Sequence, residues 1–156
     1  MKKLLKDTEI KLINSLAKRE LEASHMYLHL ANCMRNKGFF GAEKFFTSES
    51  LDEREHYNKW AQFMNDMYEE ISVPELDAVS VDADSLHDAL EVALEAEESL
   101  LEAYEDACTN GVSIKVLIKL YDFVEVQTKA VGEYADLIAR IELTNEPIFI
   151  DQELGK

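Results

Sequence analysis

Four acidic or amide side chains and one imidazole stand in this chain where a helical core would call for apolar residues. Glu53 and His56 are three residues apart. On a helix that spacing puts both side chains on one face, so a single turn can offer an oxygen and a nitrogen to one metal ion. Glu20, Glu97 and Gln127 each interrupt an apolar series close to its middle. Ligands of this kind, mostly hard oxygen with one imidazole, suit iron or manganese better than a closed structural zinc site. Nothing in the sequence has the cysteine spacing of such a zinc site.

The series that carry these residues define the elements that must position them. Four long stretches show apolar residues at three- and four-residue spacing, the pattern of helices packed on a shared core. The first is expected over about 7–37, ended by Gly38, and the second over about 41–70. The third spans 85–109, with Ser85 as N-cap and Asp88 three residues on, and the fourth 113–143. A short helix is expected over 147–154.

The inward stripe of the first reads Ile13, Leu16, Glu20, Ser24, Tyr27, Ala31, Met34, and that of the second Ala42, Phe46, Glu49, Glu53, His56, Trp60, Phe63, Met67. The third gives Leu86, Leu90, Ala93, Glu97, Leu100, Tyr104, Ala107; the fourth gives Leu117, Leu120, Val124, Gln127, Val131, Tyr134, Ile138, Ile141. Glu91, Glu95, Glu98, Glu102 and Glu105 fall on the far side of the third stretch, leaving Glu97 as its one inward acid.

Short links join the first helix to the second and the third to the fourth, so each pair is antiparallel. The second and third are joined by residues 71–84, fourteen residues with Pro74 and no helical period. Extended, such a link spans roughly 45 Å, about the length of a 30-residue helix. It can cross the whole bundle and leave the third helix parallel to the second. The reading is a single all-α domain: a four-helix bundle with one long crossover and a short C-terminal helix.

In a bundle of near-equal helices the centres meet, so Glu20, Glu53, His56, Glu97 and Gln127 should converge in one internal layer. Several kcal/mol per unpaired buried ion is the expected cost. No Lys or Arg lies on the inner stripes to offset it. Protonation is one remedy; a pair of divalent cations bridged by the carboxylates is the better one.

The net charge of −16 counts against nucleic acid or an anionic membrane as partner and suits a protein that gathers cations. No apolar run is long enough for a membrane span or a secretory signal, and Cys33 and Cys108 lack a CxxC spacing. A cytoplasmic protein with reduced core thiols is expected.

Taken together, Asp52-Glu53-Arg54-Glu55-His56, Glu20 with Tyr27 seven residues on, Ser85-Leu86 through Glu97, Tyr121 through Val131 around Gln127, and Phe149 through Leu154 resemble the ferritin family over nearly the whole chain. The resemblance implies a ferritin-like four-helix bundle of the bacterial non-haem type. It implies that Glu20, Glu53 and His56 hold a first iron, that Glu53 bridges to a second iron held by Glu97, and that Gln127 and Tyr27 stand beside it. The implied activity is a ferroxidase: two Fe(II) are oxidised by dioxygen or peroxide through a diferric intermediate. The product passes to a mineral core inside a homo-oligomeric shell of 24 subunits.

Gln127-x-x-Ala130 replaces a second Glu-x-x-His, so the second ion has no imidazole and one fewer charge, as suits iron in transit. Val126, Lys129 and Ala130 stand where bacterial members often carry carboxylates for a third iron.

Blander readings apply elsewhere. Glu49 is in phase with Glu53 and with Asp52 would form an accessory iron site, although a plain polar position is the simpler reading. Tyr27 is a core aromatic or a hydrogen-bonded neighbour of the site, and Gln127 can satisfy an internal hydrogen bond without touching metal. Glu22, His25 and His29 read as a solvated or subunit-contact face, His87 as chemically idle, and Trp60 as packing. A di-iron oxidoreductase that keeps its metals is the alternative enzyme. A bacterioferritin-like haem protein, with Met26 or Met64 as axial ligand, is the other alternative.

Overall fold

The computed structural model describes residues 1–156. It holds five helices and no strand: α1 (Asp7–Asn36), α2 (Phe40–Asp66), α3 (Leu86–Cys108), α4 (Ile114–Glu142) and α5 (Pro147–Leu154). The apolar core falls into two clusters, and their membership fixes the topology. One gathers Leu30 and Met34 from the end of α1, Ala42 and Phe46 from the start of α2, Leu86 and Leu90 from the start of α3, and Tyr134 and Ile141 from the end of α4. The other gathers Ile13 and Leu16, Trp60 and Met64, Leu100 and Tyr104, and Leu120 and Phe123, which are the opposite ends of the same helices. Thus α2 and α3 run parallel, each antiparallel to its hairpin partner, and the α2–α3 link must travel the length of the bundle. Three bonds tack it down: Tyr57 Oη donates to Ser72 O at 2.8 Å, Ser72 N donates to Asn14 Oδ1 at 2.8 Å, and His29 Nε2 meets Val81 O at 2.7 Å.

The helix ends show why the boundaries fall where they do. Gly38, at φ 86°, closes α1, with Phe39 N donating to Met34 O at 2.9 Å. Helix α2 stops at Asp66, four residues before the expected 70, and the crossover is correspondingly longer. Tyr68 takes the left-handed conformation usually given to Gly (φ 59°), and Glu69 N closes back on Met64 O at 2.9 Å. A tyrosine there gives no stop signal in the sequence.

Phe39, as N-cap of α2, has no side-chain acceptor, and α5 supplies one: the buried Asp151 accepts from Ala42 N at 2.7 Å. A Cβ on Gly41 would stand 1.8 Å from Asp151 O, so α5 can lie on the α2 terminus only because residue 41 is glycine. Ser85 caps α3 by accepting from Asp88 N at 3.0 Å. At the other end of the bundle the buried Glu9 accepts from Lys6 N at 2.9 Å and from Ser113 N and Oγ at 2.8 and 2.7 Å, joining the starts of α1 and α4.

The α4 stripe is partly out of register with the expected one. Val116 and Phe123 are buried, whereas Leu117, Val124, Val131 and Ile138 are only half-buried. Cys33 and Cys108 are free thiols, half-buried rather than wholly in the core. No helix is long and apolar enough to cross a membrane.

Candidate metal centre

Between the two apolar clusters lies a polar layer, with Glu20 and Ser24 from α1, Ser50 and Glu53 from α2, Glu97 from α3 and Gln127 from α4 all buried. Ser24 and Ser50 satisfy one another and the facing backbone. The acids do not. Glu20 Oε2, Glu53 Oε2 and His56 Nδ1 are buried and have no hydrogen-bond partner. His56 Nδ1 is 3.4 Å from each of the two carboxylate oxygens, and one ligand atom from each of the three residues lies within 4.8 Å of the others. Buried polar atoms left in this state are rare in folded proteins. Three of them stand on residues that together could hold a cation.

Glu97 and Gln127 meet beside this trio. Gln127 Nε2 donates to Glu97 Oε2 and to Glu97 O, the latter at 3.0 Å, while Tyr27 Oη donates to Glu97 Oε1. Both Glu97 oxygens are therefore bonded, whereas Glu20 and Glu53 each keep one oxygen without a partner. The five expected residues share one layer, and Tyr27 is one of two phenols donating into it. Tyr104 is the other, donating to Glu20 Oε1 at 2.5 Å while its own oxygen accepts from Trp60 Nε1 at 3.1 Å. Sequence reasoning placed Tyr104 on the inner stripe but gave it no role. Its place seven residues after Glu97, two turns along the same face, was the available signal.

Glu49 is half-buried and accepts from Tyr134 Oη at 3.2 Å, whereas Asp52 is exposed. A surface cleft of about 350 Å³ opens onto Glu53 and His56, and its acids Glu49, Asp52, Glu55 and Glu133 outnumber its lysines, Lys59 and Lys129. His87 lies 3.0 Å from Glu142 and 3.7 Å from Glu91 at the surface, a solvated cluster. Met64 is wholly buried and Met26 is 9% exposed, so neither stands out as a surface axial ligand for haem.

Burial sets the charge state of the layer. It pushes Glu53 up to about 8, helped by Glu20 and opposed by His56. Burial works to lower His56, but the carboxylates of Glu20 and Glu53, each 3.4 Å away, outweigh it and raise the imidazole to about 10. Burial and the charge of Glu53 take Glu97 to about 7, against the donors Tyr27 and Gln127. Without a cation the layer keeps protons in its place.

Residues 10–144 match the family model of the ferritin-like domain. The chain is 30% identical to a ferritin of Pacifastacus leniusculus over 83% of its own length and 76% of the relative's. It is 24% identical to a probable bacterial non-heme ferritin-like protein of Haemophilus influenzae, over 97% and 96% of the two chains. Among solved structures, an open pore ferritin from Archaeoglobus fulgidus superposes with a TM-score of 0.90 at 18% identity, covering 96% of each chain. With an all-α bundle, a single long crossover and an acidic layer at its centre, this chain belongs to the ferritin family.

Proposed function

We propose that the protein takes up iron(II) as substrate, oxidises it in the buried carboxylate layer and passes the iron(III) to a store enclosed by many copies of the chain. The observation that carries this reading is the set of three unpartnered ligand atoms on Glu20, Glu53 and His56. Removed from water and given no Lys or Arg partner, these groups gain most from a divalent cation.

Each residue has a part in the proposed cycle. The acidic cleft draws iron(II) inward. Glu20 and His56 hold the first ion through Oε2 and Nδ1, and Glu53 bridges toward a second ion that Glu97 accepts once Tyr27 and Gln127 yield one of its oxygens. Gln127 brings no charge, so the second ion binds weakly and leaves after oxidation, as a transit site requires. Protons leaving Glu53 and His56 on loading can pass to the reduced oxidant, dioxygen or peroxide. The likeness to ferritins by name and fold supports storage in a homo-oligomeric shell, for which 24 subunits is the proposed number, in the cytoplasm.

The test is aerobic addition of Fe(II) to metal-free protein, with ferric absorbance followed by stopped flow and the product sized by light scattering. Rapid oxidation that Glu53→Ala abolishes, with hundreds of irons held per shell-sized particle, is the expected result. Two irons retained per chain on a monomer or dimer would replace storage with a metal-retaining oxidoreductase.

A further inference from the structure

Two clefts open between α2 and α4, and His56, Lys59 and Val126 line both. One is the acidic opening onto Glu53 and His56. The other, of about 330 Å³, has the opposite sign: Lys59 and Lys119 line it with one carboxylate, Asp122, and the apolar Phe123 and Val126. Lys59 belongs to α2 and Lys119 to α4, so packing brings the two ammonium groups to one cleft. The ion pairs made by Lys and Arg in this chain are Lys3–Asp7, Arg35–Glu43 and Arg140–Glu153, so no carboxylate has claimed either of them. Buried Phe123 meets the His56 ring edge-on at 6.1 Å, and the His56 side chain is 14% exposed.

A chain of net charge −16 repels small anions, and a cleft where lysines outnumber acids is a local exception to that field. The basic cleft is a poor route for iron(II), which the acidic one beside it serves. Lysine ammonium groups are compact point charges that suit a phosphate oxygen. The chemistry of the layer supplies a use for such an anion. Two iron(III) ions carry six positive charges, and the carboxylates of Glu20, Glu53 and Glu97 offset only three of them.

We infer that the cleft between Lys59 and Lys119 binds inorganic phosphate and presents it to iron(III) held at His56. The inference deepens the proposed function and rests on iron being oxidised at this layer. The step is a ligand exchange in which phosphate oxygens replace carboxylate and imidazole on iron(III), and no electron moves. Iron(II) enters through the acidic cleft, phosphate meets the oxidised ion from the basic one, and the layer is vacated for the next pair of ions.

The test has two readouts on full-length protein at low ionic strength. The first is the phosphorus NMR line width of inorganic phosphate titrated with metal-free protein. Wild type should broaden the line, and Lys59→Gln/Lys119→Gln should bind about tenfold more weakly. Lys11→Gln/Lys18→Gln, which removes the same two charges from α1, should bind as wild type does. The second is aerobic addition of two Fe(II) per chain followed by two more, with ferric absorbance giving the ratio of second to first initial rates. Phosphate should raise that ratio in wild type and in the α1 variant and leave it unchanged in Lys59→Gln/Lys119→Gln. Equal loss of binding in the two double variants, or a ratio indifferent to phosphate in wild type, overturns the inference. Because binding is read without iron, the two readings separate. Oxidation equal in wild type and Glu53→Ala would sink the iron reading and the coupling with it, whereas Glu53-dependent oxidation with phosphate binding indifferent to Lys59 and Lys119 would sink the phosphate site alone.

Discussion

Replacing Glu53 by its neutral isostere should stabilise the metal-free protein and weaken the metal-bound one. Burial pushes the folded-state carboxyl from 4.5 up to about 8, so at pH 7 the folded protein holds a proton that the unfolded chain has released. An acid raised in this way lets stability fall as pH rises from about 4.5 to 8, and the loss is absent below that window. The 2.5 units between 4.5 and pH 7 amount to about 3 kcal/mol at 1.36 kcal/mol per unit. Glu53→Gln carries no such cost and should exceed wild type at pH 7 by up to about 3 kcal/mol, and by nearly nothing at pH 4.5.

Manganese(II) should invert the order. A ligand at a thousandfold its Kd adds about 4.1 kcal/mol to wild type, more than the deficit of about 3 kcal/mol, and far less to a variant lacking the bridging carboxylate. Denaturant unfolding at pH 4.5 and 7, first with chelator and then with manganese(II), at one protein concentration, measures both effects. A metal-free Glu53→Gln protein less stable than wild type at pH 7 would refute the reasoning, because the ion pair with His56 would then outweigh the desolvation of Glu53.

The same proton inventory predicts that cation affinity rises with pH through about 8, where Glu53 loses its proton, and on to about 10, where His56 does; calorimetry in buffers of different ionisation enthalpy counts the protons released. Gln127→Glu adds a carboxylate at the second ion, so more iron per chain should survive dialysis against a chelator. Asp151→Ala removes the acceptor on Ala42 N and should cost about 1 kcal/mol in denaturant unfolding. Gly41→Ala places a methyl 1.8 Å from Asp151 O and should strip 147–154 of hydrogen-exchange protection.

How far the sequence could be read depended on how each feature is encoded. Glu97 and Glu98 are adjacent acids, and helical phase alone separated them: Glu97 is 2% exposed, whereas Glu98 is exposed. The presence of one long crossover and the meeting of helix centres were likewise consequences of spacing, although the crossover is longer than its expected fourteen residues. The register of α4 was less determinate, because Leu117 and Val124 neighbour Val116 and Phe123, and an all-apolar run does not say which residue faces inward. The end of α2 rests on a tyrosine in a conformation its side chain disfavours, closed by the bond from Glu69 N to Met64 O. Asp151 capping a helix 109 positions earlier, and Trp60 bonded to Tyr104, are pairings in space that no local pattern announces.

The central claim is that the buried carboxylate layer is where iron binds for oxidation. Crystals of the protein soaked anaerobically with Fe(II) and measured at the iron absorption edge test it most directly. One strong anomalous peak bounded by Glu20 Oε2, Glu53 Oε2 and His56 Nδ1 is expected, with a weaker one between Glu53 and Glu97. Iron peaks confined to surface acids, with the layer empty and its three ligand atoms still unpartnered, would contradict it.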